Sequence, residues 1–287
     1  FVDTHVHYAQ IEMVASFGFQ LLDWLEQYAF PIENKFQDKS YSKSIARFFL
    51  EQLLRNGTTT AMVFATVHAE SVSGFFEEAQ KLNMRMIAGK VMMDRFAPDY
   101  LLDTAASSYR DSLALIQNWH GKDRLSYAVT PRFAVTSSPE QLQIAGTLKK
   151  EFPNLFVQTH LSENKKVLEV VAELYPTAKN YLDIYDSFGL VGQKSVFAHG
   201  VHLRQEELSR LSESCSSVSF CPTSNLFLGS GLFNLTAARQ KGIQVGIGSD
   251  IGGGTSLSIL QNLNECYKIQ QLQGQTLSGL QAFYLAT

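Results

Sequence analysis

The chain has 287 residues, 45% of them hydrophobic and 18% charged, which excludes a disordered or low-complexity polypeptide and suits one large α/β domain or two smaller ones. A formal net charge of −3 gives no electrostatic basis for binding nucleic acid or an anionic membrane, and no apolar run approaches the roughly 20 residues that span a bilayer. Three cysteines, Cys215, Cys221 and Cys266, with no Cys-x-x-Cys spacing, argue against a disulfide framework, so the expectation is a soluble protein of a reducing cytoplasm acting on a small molecule.

The chain opens FVDTHVHYAQ, and residues 1–7 predict a strand in which His5 and His7 share one face. Imidazole is a common zinc or iron ligand, and Asp3 is near enough to shape such a site or orient a ring. Taken alone, so short a motif reads more readily as two hydrogen-bonded histidines at a strand end. Residues 8–43 form the largest insertion after a strand and carry Phe17, Phe19, Trp24, Tyr28, Phe30 and Phe36, a composition suited to a lid. A helix follows over 44–56, then strand 58–67, helix 71–83, strand 84–92, helix 100–119 and strand 125–131. Helix 139–152, strand 155–160, helix 163–174, strand 195–199 and helix 205–214 come next, then strand 217–221, helix 232–241, strand 243–250 and helix 257–273. Eight strands alternating with helices predict a parallel sheet closed into a (β/α)8 barrel, with an open doubly wound sheet as the alternative. With no repeat, linker or low-complexity tract, residues 1–287 read as one domain.

In a parallel barrel the chemistry sits where strands end, so polar residues closing apolar strands are the candidates. Strand one ends at His5 and His7, strand four runs into TPRF with Arg132, strand five reaches His160, strand six His199 and strand eight Asp250. Each has a bland reading as a hydrogen-bonded strand end or a turn cap. Together, four imidazoles and a carboxylate on one rim predict a divalent-metal site. The run Gly252 to Gly254 lacks the lysine of a phosphate-binding loop and reads as a flexible turn beside Asp250. His68, His120 and His202 fit no place in this pattern.

The same pattern resembles the amidohydrolase superfamily of metal-dependent barrels. The stretches FVDTHVHYAQ, NGTTTAMVF, VTPRFAVTS, THLSEN, FCPTSNLFLGSG and GSDIGGGTS, spread over almost the whole chain, resemble its guanine deaminase branch. Ala9 stands where that branch has proline. Relatives also carry a small β-sandwich built from segments flanking the barrel, so the resemblance implies a barrel excised from a longer chain.

The resemblance implies that His5, His7, His160 and Asp250 bind one divalent ion, zinc or alternatively iron. His199 would orient or bind a water. Relatives with two ions use a lysine after strand four, where this chain has Thr130-Pro131-Arg132, so a single ion is expected. Such an ion lowers the pKa of its water toward neutrality. Glu163 would carry a proton to purine N3 and Asp250 would accept one from the water, giving xanthine and ammonia from guanine. Gln10, Arg132 and Phe133 would contact the purine, Arg132 at O6 and Phe133 by stacking, with His160 and Glu163 also against it. Read without the resemblance, those three suit a polar loop residue, a surface arginine and a core phenylalanine. Two alternatives remain open: an aminohydrolase for a pterin, pyrimidine or triazine, and an inactive metal-binding scaffold. A homodimer is compatible with all of them.

Overall fold

The computed structural model describes residues 1–18 and 20–287; Phe19, one of the aromatics expected in the lid, lies outside the described residues. Among the described residues eight parallel strands follow one another around a barrel: β1 (Val2–His7), β2 (Thr60–Phe64), β3 (Arg85–Gly89), β4 (Ser126–Pro131), β5 (Phe156–Leu161), β6 (Ser195–His199), β7 (Ser217–Phe220) and β8 (Gln244–Ile247). β3 resumes after Lys90 as Val91–Met92, which pairs with β4. The strand order is sequential, and the rim closes where Asp250 N donates to His5 O at 2.9 Å and His7 N donates to Ile251 O at 2.8 Å. That closure disposes of the open-sheet alternative.

Helices Lys39–Arg55, Ala69–Lys81, Ala105–Trp119, Pro139–Glu151, Lys165–Leu174, Gln205–Glu213, Leu235–Gln240 and Ile259–Leu272 follow the strands in turn. Local chemistry explains their starts. Asp38 accepts from Ser40 N and Tyr41 N, so the first of them begins earlier than its apolar periodicity indicates. Ser138 caps the fourth ahead of Pro139, and Asn164 caps the fifth, leaving Glu163 in the preceding turn rather than inside the helix. Short helices at Tyr181–Ser187, Pro222–Phe227 and Gly279–Tyr284 join them, each too brief for a periodic signal.

The insertion after β1 is built from short helical turns, Tyr8–Met13, Leu21–Trp24, Leu25–Ala29, Phe30–Glu33 and Asn34–Gln37, which the sequence reading did not anticipate. Trp24, Phe30 and Phe36 are buried in the main core. β3 breaks because Lys90, buried, turns its ammonium to Asp103, which also accepts from Ser108 Oγ and Gln141 Nε2. The run Gly252 to Gly254 differs from the flexible turn expected: all three are buried, and added Cβ atoms would meet Gln10 O at 2.8 Å, Ser224 Oγ at 2.9 Å and Ser249 O at 1.8 Å. Space rather than conformational freedom demands glycine there.

Candidate active site

β1 delivers His5 and His7 to the barrel mouth with their Nε2 atoms 3.3 Å apart. His160, next to last in β5, faces them, its Nε2 3.2 Å from that of His7. On the neighbouring β6, His199 pairs in register with Leu161. Asp250, just past β8, completes the group: Oδ1 lies 3.2 Å from His5 Nε2 and 3.4 Å from His7 Nε2, and Oδ2 lies 3.8 Å from His199 Nε2. His199 and Asp250 adopt left-handed backbone angles, φ 72° and 49°, a costly conformation that clusters at functional sites.

The donor set suits a divalent cation. Ligand atoms of His5, His160, His199 and Asp250 all lie within 4.8 Å of one another, a group that can hold a metal ion, and His7 sits against three members of it. Two rings have their far nitrogens occupied. His160 Nδ1 donates to Arg132 O at 2.7 Å and His199 Nδ1 to Asn225 Oδ1 at 2.9 Å, which leaves each Nε2 lone pair turned into the cluster. His199 Nε2 is buried with no hydrogen-bond partner among the described residues, an orphan that a water held by a cation would satisfy. Burial, followed by the fields of the neighbouring imidazoles, holds His7 and His160 well below the usual histidine range, so both are neutral, as metal ligands must be. Burial pushes the Asp250 carboxyl up, but the hydrogen bond from His5 leads the effects that outweigh it and hold the carboxyl well below its usual range.

Among the described residues the hydrogen bonds of Asp3 go to Ser249 and the His5 backbone rather than to an imidazole ring. It accepts from Ser249 N at 3.0 Å, from Ser249 Oγ and from His5 N at 3.2 Å, so it shapes the site by tying the first strand to the turn after the last. Its burial raises its carboxyl to about 7.

The cluster forms one side of a pocket of about 500 Å³, counting its open mouth. Gln10, Arg132, Phe133, His160 and Glu163 all line it, and Leu21, Trp24 and Leu25 bring the insertion over it as an apolar wall. Glu163 accepts from Ser230 Oγ at 3.3 Å, and its Oε2 is 3.5 Å from His199 Nε2; burial raises its carboxyl above the ordinary range. Arg132 is buried and donates through Nη1 to both oxygens of Glu33, at 3.0 and 2.7 Å. Gln10 Nε2 donates to Glu33 Oε1 at 2.8 Å.

The structure thus brings together all the residues expected at the site. It leaves out His68, which precedes helix Ala69–Lys81, His120, whose Nδ1 accepts from Tyr127 N at 3.2 Å, and His202, whose Nε2 donates to Ser230 O at 2.8 Å. Glu33, Asn225 and Ser230 escaped the sequence reading, because nothing in FPIEN or TSNLFLGS marks a long-range partner.

A rim of imidazoles and a carboxylate that could hold a metal, on a sequentially ordered parallel barrel, defines a class, and the chain belongs to it: the amidohydrolase family model matches residues 1–287. Within that metal-dependent family, the chain is 60% identical over its whole length to the guanine deaminase of Escherichia coli (strain K12), of which it spans 65%. A solved structure of E. coli guanine deaminase superposes with a TM-score of 0.99, the chain covering 66% of it. The guanine deaminase of C. acetobutylicum, solved with guanine bound in its active site, is 32% identical with a TM-score of 0.97; 99% of this chain and 70% of that one are covered. Among the described residues no helix is long and apolar enough to cross a membrane.

Proposed function

We propose that the protein hydrolyses guanine to xanthine and ammonia, in the cytoplasm, with one divalent ion held by His5, His7, His160 and Asp250. Zinc suits imidazole and carboxylate donors and is the ion we favour; iron is the alternative. The observation that carries the reading is a single pocket lined by the imidazole and carboxylate cluster, by Glu163, and by the donors Arg132 and Gln10. The similarity to guanine deaminases selects the substrate among aminated heterocycles.

When bound, the ion supplies an acidified water near neutral pH. Asp250, kept anionic with the help of the His5 hydrogen bond, accepts the proton of the attacking water. Attack at C2 of the purine sends electron density to N3, and Glu163, whose carboxyl is raised by burial, holds a proton to deliver there. The neighbouring His199, fixed by Asn225, orients the water. Arg132 donates to O6, a carbonyl acceptor that adenine lacks, and Phe133 stacks on the ring.

Guanine turnover by the zinc-loaded protein, followed as ammonia release and as conversion of guanine to xanthine, tests this. Steady release from guanine is expected. No release from guanine alongside release from a pterin, pyrimidine or triazine would transfer the assignment to the other aminohydrolase, and none from any of them would leave a binding scaffold.

A further inference from the structure

Behind Arg132 lies Glu33, a carboxylate with 0% exposure that is not among the residues lining the pocket. It binds Arg132 Nη1 through both oxygens, at 2.7 and 3.0 Å, and Gln10 Nε2 through Oε1 at 2.8 Å. Gln10 in turn accepts from Gly252 N through its own Oε1 at 3.1 Å. Phe30, one helical turn before Glu33, places its ring 5.4 Å from the guanidinium carbon. The end of β4, the insertion, the turn after β1 and the turn after Asp250 therefore meet in one hydrogen-bonded chain. An arginine held by a ring on its face and a carboxylate on its edge is locked in orientation. Among the described residues Glu33 is the only hydrogen-bond partner of its guanidinium, so the other N–H groups remain available to the pocket.

We infer that Glu33 is a positioning and charge-selecting residue: it fixes Arg132 and Gln10 as a donor edge of no net charge, so that the pocket takes an uncharged carbonyl-bearing heterocycle and rejects an anion at the same place. A buried guanidinium without a counter-charge would draw a carboxylate or phosphate. Paired with Glu33 it offers hydrogen bonds but little net field. The identity of the carbonyl ligand as a purine rests on the deaminase reading; the preference for neutral over anionic ligands rests on the Glu33 contacts.

Two ligands without the reacting amine separate these points. Hypoxanthine keeps the 6-oxo group, and purine-6-carboxylate puts an anion there. Calorimetric titration of the wild-type protein should show hypoxanthine preferred. In Glu33→Gln, hypoxanthine should weaken by about 10-fold or more, the scale of one charge-assisted hydrogen bond, while purine-6-carboxylate tightens; for guanine, KM should rise by more than kcat falls. Glu33→Asp keeps the charge and shortens the reach, so it should weaken hypoxanthine while still excluding the carboxylate, and it decides the matter if Glu33→Gln does not fold. A wild-type protein that prefers the carboxylate, a Gln variant with the wild-type preference, or an Asp variant that admits the carboxylate would overturn the inference. If the wild-type protein binds hypoxanthine selectively yet leaves guanine unreacted, the deaminase reading falls and the role of Glu33 stands.

Discussion

Glu163 is close to His199, accepts a hydrogen bond from Ser230 Oγ, and is buried enough that its carboxyl is raised. Glu163→Gln keeps that shape and cannot exchange a proton, so turnover should fall by about 10²- to 10⁴-fold with metal content unchanged. Near-normal turnover would remove it from the proton path. Arg132→Met tests the carbonyl contact by comparing guanine with 2-aminopurine, which keeps the C2 amine and lacks only the oxygen. The variant strands the Glu33 carboxylate in the interior, at a cost of about 3–5 kcal/mol in stability, so the ratio of the two substrates is the reading and the absolute rate is not. A site that loses its donor to a buried carbonyl gives up discrimination of about 10⁴-fold or more, and the guanine preference should narrow toward parity; an equal loss on both substrates would assign Arg132 to general support of the pocket. At this scale the sequence is legible where chemistry coincides with the end of a strand, as for His5, His7, His160, His199 and Asp250. Glu33 is invisible because its partner Arg132 is 99 residues away and its own helical turn carries no pattern.

Elements were legible in proportion to their length. The long helices and all eight strands follow from periodicity and turn signals, with ends displaced by caps such as Asp38 and Asn164. The insertion after β1 was not, since helical turns of four to six residues are held by tertiary burial of Trp24, Phe30 and Phe36 rather than by an amphipathic repeat. Helix Pro139–Glu151 shows how packing reverses a local rule. Gly146 lies in its interior, where alanine would ordinarily gain about 1 kcal/mol. An added Cβ there would fall 2.0 Å from Phe188 O, a backbone atom just beyond helix Tyr181–Ser187. The clash forces the two helices apart, and overpacking of this kind costs about 1–3 kcal/mol, so Gly146→Ala should lower the thermal midpoint. A midpoint that rises would mean that the segments separate freely and that intrinsic propensity governs the position.

Across the whole molecule, the candidate metal ligands come from the first strand, the fifth and the turn after the eighth, so one ion would hold together the two ends of the sheet. The protein's own bonds already restrain that seam: the backbone bonds from Asp250 N to His5 O and from His7 N to Ile251 O, together with Asp3 bridging His5 and Ser249. The seam also brings imidazole Nε2 atoms to 3.2 and 3.3 Å from one another, and the Nε2 lone pair of His199 has no donor among the described residues. A cation that binds only the folded barrel adds stability by mass action, about 4 kcal/mol at a free concentration 1,000-fold above Kd. Loading with zinc should therefore raise the thermal midpoint, removing the ion with a chelator should lower it, and hydrogen exchange should then quicken first in β1 and in the segment after β8. Elemental analysis should find one ion per chain, since Thr130-Pro131-Arg132 offers no lysine to bridge a second. Two ions per chain would refute the single site. A midpoint indifferent to zinc and chelator would show that hydrogen bonds alone hold the seam, and that the cluster of imidazoles and Asp250 does not bind the ion that its geometry accommodates.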